Sequence, residues 1–195
     1  MIKSKRLTTV IVLFFSIVFL FVFLIYEKND RVDVLKDKTK STHINQINST
    51  IYQYSTSNKF IFNSIINDED VLLLQKKALD AEDEALRKVY RDKLHKKLAK
   101  FYTHLKDYGI KQLHFHFPDT TTFLRFHKPS KYGDNLKDIR YSLVVANNEL
   151  KVVSGFEEGR IFNGYRFVYP LIYKKEHIGT VEISIGFNAI NKISQ

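Results

Sequence analysis

The sequence contains no cysteine, and this absence excludes a disulfide framework, thiolate catalysis and metal sites built on thiolates. It also has no H-E-x-x-H zinc signature and no G-x-S-x-G motif around Ser154. Gly155, Gly159 and Gly164 do not form the G-x-G-x-x-G pattern of a phosphate-binding loop. These absences argue against an enzyme, and no cofactor is predicted.

The net charge of +10 raises nucleic acid as a partner to be considered. A nucleic-acid-binding protein concentrates its basic residues in a patch or a stripe. Here the basic residues of segment 76–100 are interleaved with acidic ones on one predicted helix, which is typical of a solvated helix face. No nucleic-acid partner is therefore predicted.

Residues 7–26 form an apolar run that contains no charged residue, no glycine and no proline. A helix of about 20 residues is about 30 Å long, which matches the hydrocarbon core of a bilayer. A cleaved signal peptide would have a shorter apolar core that ends in small residues. This run instead closes with Phe23, Leu24, Ile25 and Tyr26, so it predicts a transmembrane helix that stays in the membrane.

The charges that flank this run predict its orientation. Lys3, Lys5 and Arg6 lie in the segment 1–6, and the positive-inside rule places such a segment in the cytoplasm. The basic residues Lys28 and Arg31 on the other side are mixed with acidic ones. No second run of spanning length follows, so the chain beyond residue 26 is expected outside the cytoplasm.

Two helical segments are predicted between the membrane run and the first strand, a stalk at 27–67 and a second long helix at 68–109. In the stalk, seven residues recur at alternate spacings of three and four, which places them on one stripe of a helix. The stripe consists of Ile44, Ile47, Ile51, Tyr54, Asn58, Ile61 and Ile65. It could pack on another chain, as in a homodimer, or on the second helix, which is the favoured alternative for most of its length. Gly109 marks the end of that second helix.

After Gly109 the apolar residues recur with the period of two that is typical of strands. Five strands are expected at 112–117, 122–127, 152–157, 160–173 and 178–187, and a short helix is expected at 135–147. These elements occupy the segment 110–190. Their order predicts an α+β fold, in which a transmembrane helix and a helical stalk or hairpin precede a PAS-like five-stranded antiparallel sheet with a short helix.

Three runs carry a resemblance to a known family: KQLHFHFPDTTTFLRFHKPSKYGDNL, VVSGFEEGRIFNGYRFVYPLIY and HIGTVEISIGF. They resemble the Cache superfamily of extracytoplasmic sensor domains, in particular the double-Cache regions found upstream of diguanylate cyclases, histidine kinases and chemoreceptor signalling domains. The resemblance covers residues 68–190. It implies a periplasmic module, anchored in the bacterial inner membrane, that binds a small-molecule ligand. It also implies that the signal passes through helices to the cytoplasm. Either the output domain lies beyond this sequence, which is favoured because 191–195 is expected to begin an exit helix, or a free-standing anchored sensor acts through a partner.

A small ligand held by a sheet requires a few converging polar groups in a mostly apolar pocket. Arg125 and His127 share one face of a predicted strand, and Tyr132 in the following loop could close over that face. Arg140 on the short helix and Arg160 at a strand start are the other basic candidates. Because the planar guanidinium of arginine matches a carboxylate, the predicted ligand is a small organic or amino acid carboxylate.

Three alternatives remain open. Arg125 and Arg160 could instead form structural ion pairs with acidic residues of the chain: Glu157, Glu158 or Asp134. His114, His116 and His127 could bind Zn²⁺ and, with a carboxylate base such as Glu157, support a metal-dependent hydrolase. The chain could also be an anchored structural or assembly protein that binds its partner through the stalk stripe.

Overall fold

The computed structural model describes residues 2–159 and 163–186, with side chains described from residue 11 onward. The chain divides into two compact units, 1–48 and 49–195. The first unit is helical, and the second contains all the described strands. The candidate site lies in the second unit.

The first helix, α1, comprises Ile2–Ile61 and continues into a π-helical turn, Phe62–Ile66. Near its N-terminus it contains a window of mean hydropathy 2.3 in which no side chain is buried. In the described chain this is the one helix that is long and apolar enough to cross a membrane. Its length and composition make it a candidate membrane span.

The stalk stripe packs on its own chain in the second unit. Tyr54, Ile61 and Ile65 pack against the main hydrophobic core, and Asn58 is fully buried. The Tyr54 hydroxyl also donates to the Tyr108 carbonyl at 3.2 Å. This part of the stripe therefore faces the chain's own second helical segment.

The segment 68–109, predicted as one helix, contains two helices: α2, Glu69–Leu79, and α3, Glu84–Asp107. The break has a local cause, because the extended Asp83 accepts a hydrogen bond from the Leu86 amide at 2.8 Å. Such an N-cap starts a new helix instead of continuing an existing one. Gly109 follows α3 with a φ of +82°, the left-handed conformation that ends a helix.

Five strands form one antiparallel sheet in the order β2-β1-β5-β4-β3. Their bounds are β1 Ile110–His116, β2 Thr122–Arg125, β3 Val153–Glu157, β4 Gly164–Tyr173 and β5 Glu176–Gly186. One short helix, α4, Tyr141–Glu149, lies between β2 and β3 in the chain. The α+β class and the five-stranded antiparallel sheet predicted from the sequence are confirmed.

The short helix begins later than the predicted residue 135. Asp134, just before the predicted start, binds Arg125, and Asn135 forms a β-bridge with Thr121. The start of α4 is instead bound by β3. Both carboxylate oxygens of Glu157 accept hydrogen bonds from Ser142, from its amide at 2.9 Å and its hydroxyl at 3.0 Å.

The two faces of the sheet bury different side chains. The face toward α2 and α3 is apolar, and its buried residues include Leu113, Phe115, Phe167, Val181 and Ile183. Gln75 joins α2 to this layer, because its side-chain amide donates to the carbonyls of His116 and Ile178 at 3.1 and 3.2 Å. On the opposite face a small apolar cluster includes residues of α4, and its members are Leu136, Leu143, Ala146 and Val168.

Candidate functional site

Beside that small apolar cluster, the second face of the sheet carries polar side chains from all five strands. Because side chains alternate along a strand, every second residue contributes to it. We call this set the polar face. It consists of Gln112, His114, His116, Arg125, Glu157, Arg166, Thr180, Glu182 and Ser184.

An ion pair between Arg166 and Glu182 lies at the centre of the polar face. Nη1 of Arg166 donates to Oε1 of Glu182, and each side chain is 1% exposed. The same Nη1 donates to Oε1 of Gln112 at 3.2 Å, and Nε of Arg166 lies 3.3 Å from Oε2 of Glu157. The Arg166 guanidinium is thus balanced by two carboxylates of its own chain.

Two buried histidines of β1 lie beside this pair. The rings of His114 and His116 have centroids 3.9 Å apart. Burial, reinforced by the positive charges of Arg125 and Arg140, lowers the pKa of His116 to about 3. Burial likewise lowers the pKa of His114 well below its ordinary value. Both imidazoles are therefore neutral near pH 7, and each has a lone pair on one ring nitrogen.

Several buried atoms of this region have no hydrogen-bond partner within the part of the chain that the structure describes. They are Nε2 of His114, both ring nitrogens of His116, Oε2 of Glu182 and the hydroxyls of Thr122 and Thr180. Folded proteins satisfy about 90% or more of such buried groups. The polar face therefore has the donors and acceptors to bind a polar molecule.

Arg125, the first of the predicted ligand residues, is bound to Asp134. Its Nη1 and Nη2 donate to the two carboxylate oxygens at 2.6 and 2.8 Å. Nη1 also donates to the carbonyl of Lys131 at 2.9 Å. The hydrogen bond from Arg125 lowers the pKa of Asp134, so this carboxyl stays ionised near pH 7. The structural ion pair considered as an alternative for Arg125 is present.

Arg140 and His127 lie at the border of the polar face. Nη1 of Arg140 donates to the carbonyls of Ile139 and Glu158 at 3.1 and 3.0 Å. In the described chain no carboxylate forms an ion pair with this half-buried guanidinium. Burial lowers the pKa of Arg140, and the charge of Arg166 adds to that effect. The exposed His127 has its ring centroid 6.3 Å from that of His114.

Tyr132 does not reach the polar face. Its ring lies against Arg91 of α3, with the guanidinium carbon 3.6 Å from the ring centroid. Arg91 in turn donates to the Phe123 carbonyl at 2.7 Å, so Tyr132 packs on the helix side of the β2 edge. Arg160 lies outside the described residues. Arg125, His127 and Arg140 thus lie around His114, whereas Tyr132 lies apart.

The central residues of the polar face, Arg166 and Glu182, were not among the site candidates from the sequence. Arg166 lies between Tyr165 and Phe167 in a strand whose aromatic residues indicate core. Glu182 alternates with Thr180 and Ser184, which indicates a wetter face and not a buried charge. The available signal was one charge in the middle of each of two successive strands, at positions that share a face.

Three side chains of the polar face could hold a metal ion. A nitrogen of His114, a nitrogen of His116 and a carboxylate oxygen of Glu182 all lie within 4.8 Å of one another. The set considered from the sequence had His127 as its third member, and His127 is not in this group.

The sequence matches a family of sensory domains. The family is dCache_3, described as "Double sensory domain of two-component sensor kinase", and it matches residues 49–192. No curated protein matches the sequence.

Solved sensor domains are similar in fold at low sequence identity. The V. cholerae histidine kinase DctB sensor domain has a TM-score of 0.57 and 16% identity, over 80% of this chain and 57% of that one. The E. coli DcuS sensor domain has a TM-score of 0.52 and 12% identity, over 75% of this chain and 98% of that one. The ligand-binding domain of the Campylobacter jejuni chemoreceptor Tlp3, in complex with 4-methylisoleucine, has a TM-score of 0.55 and 14% identity, over 80% of this chain and 62% of that one. At these identities the likeness shows the shared fold alone.

Proposed function

Because the chain belongs to the dCache_3 family of sensory domains, we propose that it is the extracytoplasmic ligand-sensing module of a membrane-bound bacterial receptor. The module binds a small molecule on the polar face and relays its bound state through helices to a cytoplasmic output domain. The module itself is sensory and not catalytic. An enzyme such as a diguanylate cyclase or a histidine kinase would belong to the output.

The observation that carries this proposal is the group of buried polar atoms without a partner in the described chain. A face built only for stability would leave few such atoms, because each costs about 1–3 kcal/mol when it is unsatisfied. Here they come from His114, His116, Thr180 and Glu182, which all belong to one face. A polar ligand would satisfy several of them together.

The proposed ligand is a small carboxylate, such as an organic acid or an amino acid. Arg125 and Arg166 already bind carboxylates of the chain, whereas the described hydrogen bonds of Arg140 go only to backbone carbonyls. The guanidinium of Arg140 is therefore the proposed partner of the ligand carboxylate. The small apolar cluster around Leu143 and Val168 would receive an aliphatic side chain. The Tlp3 domain, which was solved with 4-methylisoleucine, has the same kind of fold.

Membrane anchorage and orientation are part of the proposal. The apolar run 7–26 would span the bacterial inner membrane, with the basic tail 1–6 in the cytoplasm and the sheet in the periplasm. A reporter fused after residue 186 tests this orientation. Alkaline phosphatase is expected to be active there and a cytoplasm-dependent fluorescent reporter dark, and the reverse result would contradict the proposal.

Thermal unfolding of the full chain in detergent tests ligand binding. A ligand at about 100 times its Kd adds about 2.7 kcal/mol to the free energy of unfolding, which shifts the midpoint measurably. We expect one class among a panel of organic and amino acid carboxylates to raise the midpoint. Arg140→Gln should abolish that rise. Lys137→Gln, which removes an exposed charge from the same segment between β2 and α4, should preserve it. If no carboxylate raises the midpoint of the folded protein, the proposed ligand class is wrong.

A further inference from the structure

We infer that the polar face holds a divalent transition-metal ion of the zinc type, ligated by His114, His116 and Glu182. This inference deepens the proposed function and rests on it, because the ion would share the polar face with the small-molecule ligand. It adds an inorganic partner that the carboxylate proposal does not require.

The positions of the three donors suit such an ion. Their ligand atoms lie within 4.8 Å of one another. Around a tetrahedral Zn²⁺ with bonds of about 2.0–2.1 Å, donor atoms lie about 3.3 Å apart. The three side chains would have to rotate so that their donor atoms approach one another to this distance. Two nitrogens and one oxygen with an open fourth position form a set that Zn²⁺ adopts elsewhere.

A separate observation is that the donor atoms are not otherwise used. Nε2 of His114, both ring nitrogens of His116 and Oε2 of Glu182 are buried and have no hydrogen-bond partner in the described chain. His114 is 4% exposed, and His116 and Glu182 are 0% exposed. Water therefore has little access to these atoms. A bound ion would satisfy one nitrogen of each ring and the free carboxylate oxygen.

The hydrogen bond that Glu182 already makes supports this arrangement. Oε1 accepts from Arg166, which leaves Oε2 as the oxygen available to an ion. Carboxylates that bind metals are commonly oriented by such an outer hydrogen bond. Arg166 therefore acts as a positioning residue for Glu182.

The charges around the site couple the ion to the carboxylate ligand. Around the site, three guanidinium groups face three carboxylates: Arg125, Arg140 and Arg166 against Asp134, Glu157 and Glu182. These charges cancel before any ion binds. A divalent cation would add positive charge to a buried site, and an anionic ligand would compensate for it. Ion and carboxylate should therefore bind with positive cooperativity.

The donor types also determine which ions fit. Imidazole nitrogens suit Zn²⁺, Ni²⁺, Cu²⁺ and Co²⁺, whereas Mg²⁺ and Ca²⁺ prefer oxygen ligands. The site should therefore select against the alkaline-earth ions.

Cobalt titration of the full chain in detergent tests the inference. After treatment with a chelator, we expect about one equivalent of Co²⁺ to bind and to give the visible absorption of a tetrahedral site, and Zn²⁺ to displace it. His116→Gln and Glu182→Gln should each weaken Co²⁺ binding by about 100-fold or more, beyond the about 10–100-fold that loss of an outer hydrogen-bond partner costs. His104→Gln, on the exposed side of α3, is the matched control. Circular dichroism checks that each variant is folded, and His116→Gln decides the test if the loss of Glu182 prevents folding.

The outcomes separate this inference from the proposed function. Substoichiometric cobalt, or cobalt binding that is unchanged in His116→Gln, would mean an adventitious ion only and would overturn the inference. A carboxylate that stabilises the metal-free protein and the His116→Gln variant fully would overturn the coupling between ion and ligand, while the proposed function would stand. Specific cobalt binding that no carboxylate strengthens would support the ion and would count against the carboxylate ligand.

Discussion

Arg166 and Glu182 lie diagonally across adjacent strands and form an ion pair at the centre of the sheet, where each side chain is 1% exposed. Desolvation of two charges costs several kcal/mol for each ion, and their attraction offsets this cost only with good geometry and further hydrogen bonds. Gln112 and Glu157 supply such further contacts to Arg166. The pair therefore makes the stability of the sheet depend on a balance of charges.

Removal of Arg166 alone should be costly. Arg166→Met leaves Glu182 buried without its cation, and we expect the free energy of unfolding to fall by about 3–5 kcal/mol. The double variant with Glu182→Leu should recover about 2 kcal/mol or more of that loss, because the fully buried carboxylate is then gone and Glu157 keeps its hydrogen bonds from Ser142. Urea denaturation of the detergent-solubilised chain measures both values. Lys88→Met, which breaks an ion pair with Asp92 at the exposed surface, should leave the stability nearly unchanged, because solvent screens that pair. Equal effects of the buried and exposed changes would contradict this reasoning.

The pair between Arg125 and Asp134 predicts a pH dependence. Asp134→Asn leaves the buried Arg125 without its counter-ion and should cost about 1–3 kcal/mol at pH 7. The pKa of Asp134 is lowered in the folded protein, so its contribution is fully present above the ordinary value of 3.8 and is lost as the pH falls through the lower folded value. The difference between the wild type and Asp134→Asn should therefore shrink only in acid.

Unfolding of both proteins from pH 7 to pH 3 measures this difference. Asp138→Asn serves as the control, because Asp138 is exposed and lies in the same segment between β2 and α4. It should leave the stability nearly unchanged at every pH. A gap between wild type and Asp134→Asn that is already lost at pH 5 would show that the ion pair does not cause it.

Gly179 occupies a position that no larger residue can take. Its φ is +130°, and a Cβ atom there would lie 2.0 Å from the carbonyl oxygen of His116. Gly179→Ala should therefore destabilise the chain by about 3 kcal/mol or more, through backbone strain and overpacking. Gly155→Ala is the matched control, because nothing lies within 4 Å of its Cβ position, and it should change stability by about 0.5 kcal/mol or less. Thermal unfolding of the two variants side by side decides between strain at one site and a general effect of added methyl groups.

Tyr132 should contribute to stability without affecting ligand binding. Tyr132→Ala removes the contact with Arg91 and should cost about 1 kcal/mol. The ligand-induced rise in the unfolding midpoint should persist, since the ring lies on the helix side of β2. Loss of that rise in a well-folded Tyr132→Ala protein would mean that the loop moves over the polar face when ligand binds.

The layout of the fold could be predicted because each element has its own apolar period. Alternation in β1 and β5 gave the strands, and Gly109 gave the end of the helical part. The break between α2 and α3 could not be seen in the period, because it depends on one cap, Asp83, among several nearby acids. The start of α4 escaped prediction for a similar reason, since Glu157 of a later strand binds it.

The site could be predicted only in part. The sequence placed Arg125 and His127 on one face of a predicted strand. It also named Arg140 as a further basic candidate. It left Asp134 as one of three candidate partners of Arg125 and could not single it out, because the contact depends on the path of the loop between them. Nor could it indicate that Arg166 and Glu182 would meet, because pairing register decides which residues of β4 and β5 become neighbours.

Oε2 of Glu157 makes two contacts. It accepts a hydrogen bond from the Ser142 hydroxyl at the start of α4, and it lies 3.3 Å from Nε of Arg166. One oxygen atom thus connects the start of α4 to the buried charge of Arg166. A ligand that drew Arg166 toward itself would weaken the ion pair between Glu157 and Arg166. The Glu157 carboxylate could then form stronger hydrogen bonds with Ser142 of α4. Ligand binding on the polar face would in this way make the start of α4 more rigid, without a shift of any strand.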